Sequence, residues 1–165
     1  MNNQHQLKRN LWIILGLLLL LLAAACTSGD KATGSKQVIE PASAGSETYL
    51  LGQSVYNTQC SSCHGINGEG QFPDAPLEPD LTGRYGAPPH DATGHTWHHD
   101  DDLLIRIIRE GGMGDPVNFY PMPALASVLS EAEIEAVIAY IKTMWTSDQQ
   151  LAQQKRTIAI RAQQP

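Results

Sequence analysis

Cysteine is scarce in this chain of 165 residues, at three, and their placement leaves no pair that needs a disulfide. Basic residues are outnumbered, 11 Lys and Arg against 17 Asp and Glu. That deficit argues against nucleic acid as a partner, because binding there depends on Lys and Arg at phosphates. Long apolar runs are also lacking: beyond one run near the N-terminus, no second hydrophobic span follows. Charged residues make up 17% and hydrophobic residues 42%, the balance of a chain that folds around a core. The length supports one domain with spare residues at both ends.

What is present is a five-residue motif, Cys60-Ser61-Ser62-Cys63-His64. This C-x-x-C-H pattern is a site of covalent c-type haem attachment. Two thiols must each reach one vinyl group of a single porphyrin. The histidine directly after the second thiol then lies under the iron and supplies an axial nitrogen. A bare C-x-x-C is shared by redox dithiols and half zinc sites. The adjacent His64 and an export signal point instead to haem.

That signal lies at residues 1–25. Lys8 and Arg9 form a positive start, and Leu11 to Ala25 is an apolar run of 15 residues, within signal-peptide range and short for a membrane span. Ala23-Ala24-Ala25-Cys26 is similar to a bacterial lipobox, in which the cysteine becomes the acylated first residue. Ala23 departs from it, since leucine is usual there. An uncleaved anchor and ordinary secretion stay open, and all three outcomes place the domain outside the cytoplasmic membrane. Cleavage before Cys26 leaves nine basic against seventeen acidic residues, a net charge of −8. Long-range charge of that sign suits a partner with a basic docking patch. Residues 26–46 read as the lipidated Cys26 and a flexible linker, small, polar and broken by Gly and Pro.

The domain is expected over 47–146. Glu47 to Gln59 reads as a helix, with Leu51, Val55 and Gln59 on one stripe and Tyr49, Gly52 and Tyr56 on the next. Residues 65–99 read as loop. His90, His95, His98 and His99 lie there. A metal site or a sixth iron ligand are chemical readings of them; exposed loop histidines is the plainer one. Asp101 to Glu110 is a helix capped by Asp100, with Leu103, Leu104, Ile107 and Ile108 on its apolar face. Ser130 and Glu133 form a capping box for a last helix, whose Ile134, Val137, Ile138, Ile141 and Trp145 repeat at helical spacing. Residues 147–165 form a Gln-rich polar tail that prolongs this helix, lies on a partner or is disordered.

From Gly52 onward the chain resembles class I cytochrome c. The matching features are Gly52-x-x-x-Tyr56-x-x-x-Cys60-x-x-Cys63-His64, Gly68-Glu69-Gly70, Pro79-Asp80-Leu81-Thr82-Gly83, and Tyr120-Pro121-Met122-Pro123-Ala124 before a C-terminal helix. The resemblance implies an all-α fold of helices and loops around one covalent haem c, with its first and last helices crossing so that Tyr56 and Tyr140 meet near Gly52. It implies Met122, rather than Met113, as the iron's second ligand. It implies that a proline carbonyl accepts a hydrogen bond from His64, with Pro79 as candidate and Pro76 next. Arg84 and Trp97 become candidates for bonds to haem propionates. Met144 reads as a core filler.

The implied function is one-electron transfer in a respiratory or photosynthetic chain, by a carrier lipid-anchored on the outer face of a bacterial cytoplasmic membrane and serving redox protein partners. The alternatives are a fixed subunit of a quinol-oxidising or oxidase complex, or a haem enzyme with an open iron position.

Overall fold

In the computed structural model, residues 37–112 and 114–164 are described. The signal segment, Cys26 and Met113 lie outside the described residues. The expectation of an all-α fold holds: among the described residues the elements are helical, with an isolated bridge between Tyr85 and Phe119. None of these helices is long and apolar enough to cross a membrane.

Helix α1 is Glu47–Val55, started by Ser46, whose side chain accepts from the Tyr49 amide. The chain does not stop there. It passes through one π turn, Tyr56–Cys60, into α2, Ser61–His64. The buried side of α1 is Gly52 and Val55, one from each expected stripe, and Leu51 is 38% exposed. Helix α3 is Asp101–Glu110, capped by Asp100 as expected. Its buried side is Leu104, Ile105 and Ile108, displaced from the expected face by the pull of Asp101 into the interior. Helix α4 is Glu131–Ile141, and both halves of the Ser130/Glu133 capping box form.

Helices α1 and α4 pack directly on each other. A Cβ placed on Gly52 would lie 2.2 Å from the Ala136 carbonyl oxygen and 2.7 Å from Tyr140 Cβ. The backbone of α1 therefore touches α4 where any side chain would hold them apart. An alanine there would gain about 1 kcal/mol of helix propensity, less than the strain of overpacking, about 1–3 kcal/mol. The Tyr140 ring sits 5.6 Å from that of Tyr56 and 5.2 Å from that of Tyr49, so the expected tyrosine meeting occurs. Around this crossing Ile134, Val137, Ile138, Ile141 and Trp145 join Leu104, Ile105, Ile108, Leu125 and Leu129 in one core.

Two boundaries are corrected. Residues 38–46, assigned by composition to the linker, pack on the domain: the Ala42 amide donates to the Ala139 carbonyl at 3.0 Å, and the Ile39 amide to Asp101 Oδ2 at 2.8 Å. The tail is a separate helix, α5, Ser147–Arg161, opened by a Thr146/Gln149 capping box after a 3₁₀ turn at Lys142–Met144. Both segments converge on Lys142. Its ammonium donates to Asp101 Oδ1 at 2.6 Å, to Gln153 Oε1 at 2.8 Å and to the Ile39 carbonyl. Asp101 Oδ1 also accepts from Gln153 Nε2 at 2.8 Å, and the Asp101 amide donates to Thr157 Oγ1 at 3.1 Å. All three lysine N–H donors are used, so the buried charge is compensated in full. At the rim, Arg161 Nε donates to Asp102 at 2.9 Å.

Removing one partner leaves the other charge buried and alone, which costs about 3–5 kcal/mol. Asp101→Ala is expected to lower the stability of the folded protein by that amount in chemical denaturation. A loss below about 1 kcal/mol would show that the pair does not hold these segments.

Candidate functional site

The motif residues stand at the end of the long first helix. Its π turn comes immediately before them: the Ser61 amide donates to the Tyr56 carbonyl, five residues back. Such a turn rotates the residues that follow it relative to a regular helix, and π turns gather at functional sites. Cys60 is half-buried, Cys63 is exposed and His64 is buried. Both thiols are free. Burial, with Cys63 adding to it, pushes the Cys60 thiol up to about 11. A redox dithiol needs the opposite, a thiol pKa lowered below its ordinary value, so that reading of C-x-x-C is disfavoured.

His64 is oriented from the loop. Its Nδ1 lies 2.9 Å from the Pro88 carbonyl oxygen. A carbonyl only accepts, so Nδ1 carries the proton and Nε2 is left with a lone pair. Burial holds the His64 pKa below its ordinary value against the opposing effect of the Pro88 bond, so the ring is neutral at neutral pH. This is the state a metal-ligating imidazole requires, and such a carbonyl partner also raises ligand basicity. The expected partner, Pro79, and its alternative, Pro76, are therefore corrected to Pro88. The reason lies in two glycine turns. Gly68 and Gly70 have φ of +80° and +86°. Between them they fold the chain so that the Gly70 amide donates to the His64 carbonyl at 2.8 Å and the His90 amide to the Gly68 carbonyl at 2.7 Å. Pro88-Pro89-His90 is thereby laid beside His64, while the Pro79 segment belongs to a different turn.

His90 is half-buried rather than exposed. Its ring stacks on that of His64, with centroids 3.9 Å apart and planes 20° apart. His90 Nδ1 lies 2.9 Å from Thr96 Oγ1, and Trp145 Nε1 donates to the His90 carbonyl at 2.9 Å. Loss of water, followed by the nearness of His64 and His95, holds the His90 pKa well below its ordinary value; two neutral rings stack without charge repulsion. His90, His95, His98 and His99 do not gather into a metal site, since among the described residues no group of three or more potential ligands does.

The second loop, after α3, carries Met122. The side chain is half-buried and packs against the core, and its carbonyl accepts from the Gly112 amide at 3.1 Å. Arg84 reaches this loop. Its Nη2 donates to the Pro116 carbonyl at 3.1 Å and the Phe119 carbonyl at 2.8 Å. Its Nε is buried with no hydrogen-bond partner among the described residues. A buried N–H left open carries a cost of about 1–3 kcal/mol, and a haem propionate is an acceptor that would satisfy it. Trp97 does not share that role, because its Nε1 donates to the Gly94 carbonyl at 3.0 Å. Two free thiols, a neutral imidazole with a lone pair at Nε2 and an orphaned guanidinium donor are together the donor set a covalent haem needs. The Pro88 partner, the stacking of His90 on His64 and the Arg84 contacts were not found from sequence. The Pro88-Pro89-His90 run itself was the available signal, but nothing in its spacing said which turn would return to His64.

A family model described as Cytochrome c matches residues 49–145. No solved structure matches the chain.

Replacing both thiols, Cys60→Ser with Cys63→Ser, is expected to abolish covalent haem. Haem that stays with the chain on a denaturing gel would contradict the assignment of these two residues.

Proposed function

The chain belongs to the cytochrome c family, and from that premise we propose that it is a single-haem electron carrier whose iron is ligated by His64 and Met122 and which is tethered through Cys26 outside the cytoplasmic membrane. Family membership brings a covalently bound haem c and a role in haem-based electron transfer. The observation that carries the reading is the His64 geometry: Nδ1 is bound to the Pro88 carbonyl at 2.9 Å, so Nε2 is the nitrogen available to iron.

When bound, the haem supplies one-electron exchange between ferric and ferrous iron. The chain's own residues do the rest. Cys60 and Cys63 hold the ring at a fixed place on the first helix. His64, neutral and pinned, offers a ligand that does not reorient. Met122 stands in the Met-Pro-Ala context before α4, and a soft thioether opposite an imidazole stabilises reduced iron and raises the potential. Arg84 Nε offers a buried N–H for a propionate. His64 and Met122 would hold the iron between them and leave no place on it for a substrate, which would separate a carrier from a haem enzyme. Helix α5 turns its buried residues, Gln153 and Thr157, toward its own domain, so the carrier reading does not require it as an assembly element.

The tether rests on the small residues before Cys26 and the small polar stretch after it. The acidic surface, −8 after removal of residues 1–25, supports redox partners with basic docking patches.

Met122→Ala is expected to abolish the weak sulfur-to-iron charge-transfer band in the far red of the oxidised spectrum, to open the iron to carbon monoxide and to lower the potential, with haem still attached. Met113→Ala and Met144→Ala are expected to retain the band. If the band survives Met122→Ala and disappears with Met113→Ala, the ligand has been misassigned. A wild type without the band and with a low potential would point to a second histidine.

Cys26→Ser is expected to release a haem-loaded domain from membranes. The released domain should exchange electrons with a basic partner more slowly as salt rises, because screening weakens the attraction. Unchanged membrane association would favour an uncleaved anchor, and a salt-independent rate would contradict the charged docking.

A further inference from the structure

Two loops far apart in sequence are fastened to each other beside Met122. Asp80 is the centre of the first. Its Oδ1 accepts from the Thr82 amide at 2.8 Å, from Thr82 Oγ1 at 2.6 Å and from the Arg84 amide at 3.1 Å. Its other oxygen, Oδ2, accepts from the Tyr120 hydroxyl at 2.8 Å. One carboxylate thus organises its own turn and grips a residue 40 positions away, two before Met122. The Arg84 guanidinium carbon lies 4.4 Å from the centroid of the same tyrosine ring, within cation–π range. The backbones pair as well: the Tyr85 amide donates to the Asn118 carbonyl at 2.8 Å, and the Tyr120 amide to the Tyr85 carbonyl at 3.0 Å. The Tyr85 and Phe119 rings stack at 5.1 Å.

Met122 is held on its far side too. The Gly112 amide donates to the Met122 carbonyl at 3.1 Å, and the Leu125 amide to the Ile108 carbonyl at 3.0 Å. That side is anchored by the end of α3 and by core residues. The near side, 115–121, has no such support: Val117 is 74% exposed and Phe119 40%. Apart from its own turn at Asp115, its polar contacts among the described residues run to the Asp80–Tyr85 segment. A segment with little buried surface opens at low cost, so these contacts decide how often it opens.

We propose that Asp80, Tyr120 and Arg84 form a latch that keeps the Met122 loop closed, and that the latch sets how readily an outside ligand displaces Met122 from iron. Asp80 and Tyr120 are positioning residues that act through the loop. The proposal rests on Met122 as ligand and adds the means by which that ligand is retained. Charge-assisted bonds such as the one from Tyr120 to Asp80 are stronger than neutral ones, and removing this bond loosens the loop at its least supported point.

The test uses the full-length haem-loaded protein in its oxidised form, with imidazole as the probe. At saturating imidazole the rate of ligand replacement reports opening of the loop. Tyr120→Phe, which removes only the hydroxyl, and Asp80→Ala are each expected to raise that rate about tenfold, as loss of a hydrogen bond to a charged group does. Tyr120→Phe should add little in the Asp80→Ala background, because both remove the same bond. Arg161→Ala on α5, which breaks the pair with Asp102 of α3, should lower the melting temperature and leave the rate unmoved. Rates within twofold of wild type in both latch variants, with the charge-transfer band intact, would overturn the latch while leaving Met122 as ligand. Absence of the band from the wild type would overturn the Met122 reading and the latch with it.

Discussion

The contact on which the structure depends is the approach of α1 to α4 at Gly52. A methyl group at this position would meet the Ala136 carbonyl oxygen at 2.2 Å. Because nothing larger than hydrogen stands between the two backbones, Tyr49, Tyr56 and Tyr140 close over the contact. The helix that carries the haem thiols is thereby fixed to the best-packed element of the chain. A covalently attached ring inherits whatever freedom its attachment helix has. Anchoring that helix at its middle, a few residues before the motif, leaves the motif itself little room to move.

The loops complete what the helices begin. One supplies a carbonyl that chooses the tautomer of His64, and the other presents Met122. Apolar burial holds each only in part, through Pro89 in the first and Leu125 and Leu129 in the second. The first is folded by glycines that accept positive φ and by bonds to the Gly68 carbonyl. The second hangs between the end of α3 and the Asp80–Tyr85 segment. Polar contacts are directional and lose their worth over a short displacement. They therefore suit loops that must hold one geometry or release it.

The buried knot at Lys142 answers a different need. A small domain has little apolar surface with which to hold its ends. Here the segment entering at Ile39 and the exit helix α5 are both drawn to one ammonium group. The desolvation of that charge is offset because all its donors are met and Asp101 lies 2.6 Å away. This explains why a Gln-rich helix docks on the domain: Gln153 is 1% exposed and contributes hydrogen bonds instead of apolar area.

What the sequence determined by itself is what depends on near neighbours. The C-x-x-C-H motif is local chemistry, because two thiols and an imidazole must serve one ring. The caps of α3 and α4 are local, because a side chain reaches amides three residues on. The apolar spacing of α4 is local, because it follows the helix period. Even the Gly52 crossing was legible, since a glycine amid tyrosines on a helix asks for a close neighbour. What the tertiary structure alone decided is which distant segments meet. The partner of His64 is 24 residues away, and no periodicity says whether Pro76, Pro79 or Pro88 returns to it. Asp101 reads as a first-turn acid that favours a helix dipole, and only the arrival of Lys142, 41 residues on, makes it a buried ion pair. Residues 38–46 and 147–161 look like solvent-loving chain because their composition is polar. They are folded because buried polar groups across space satisfy them, and composition records a side chain's polarity but not its partner.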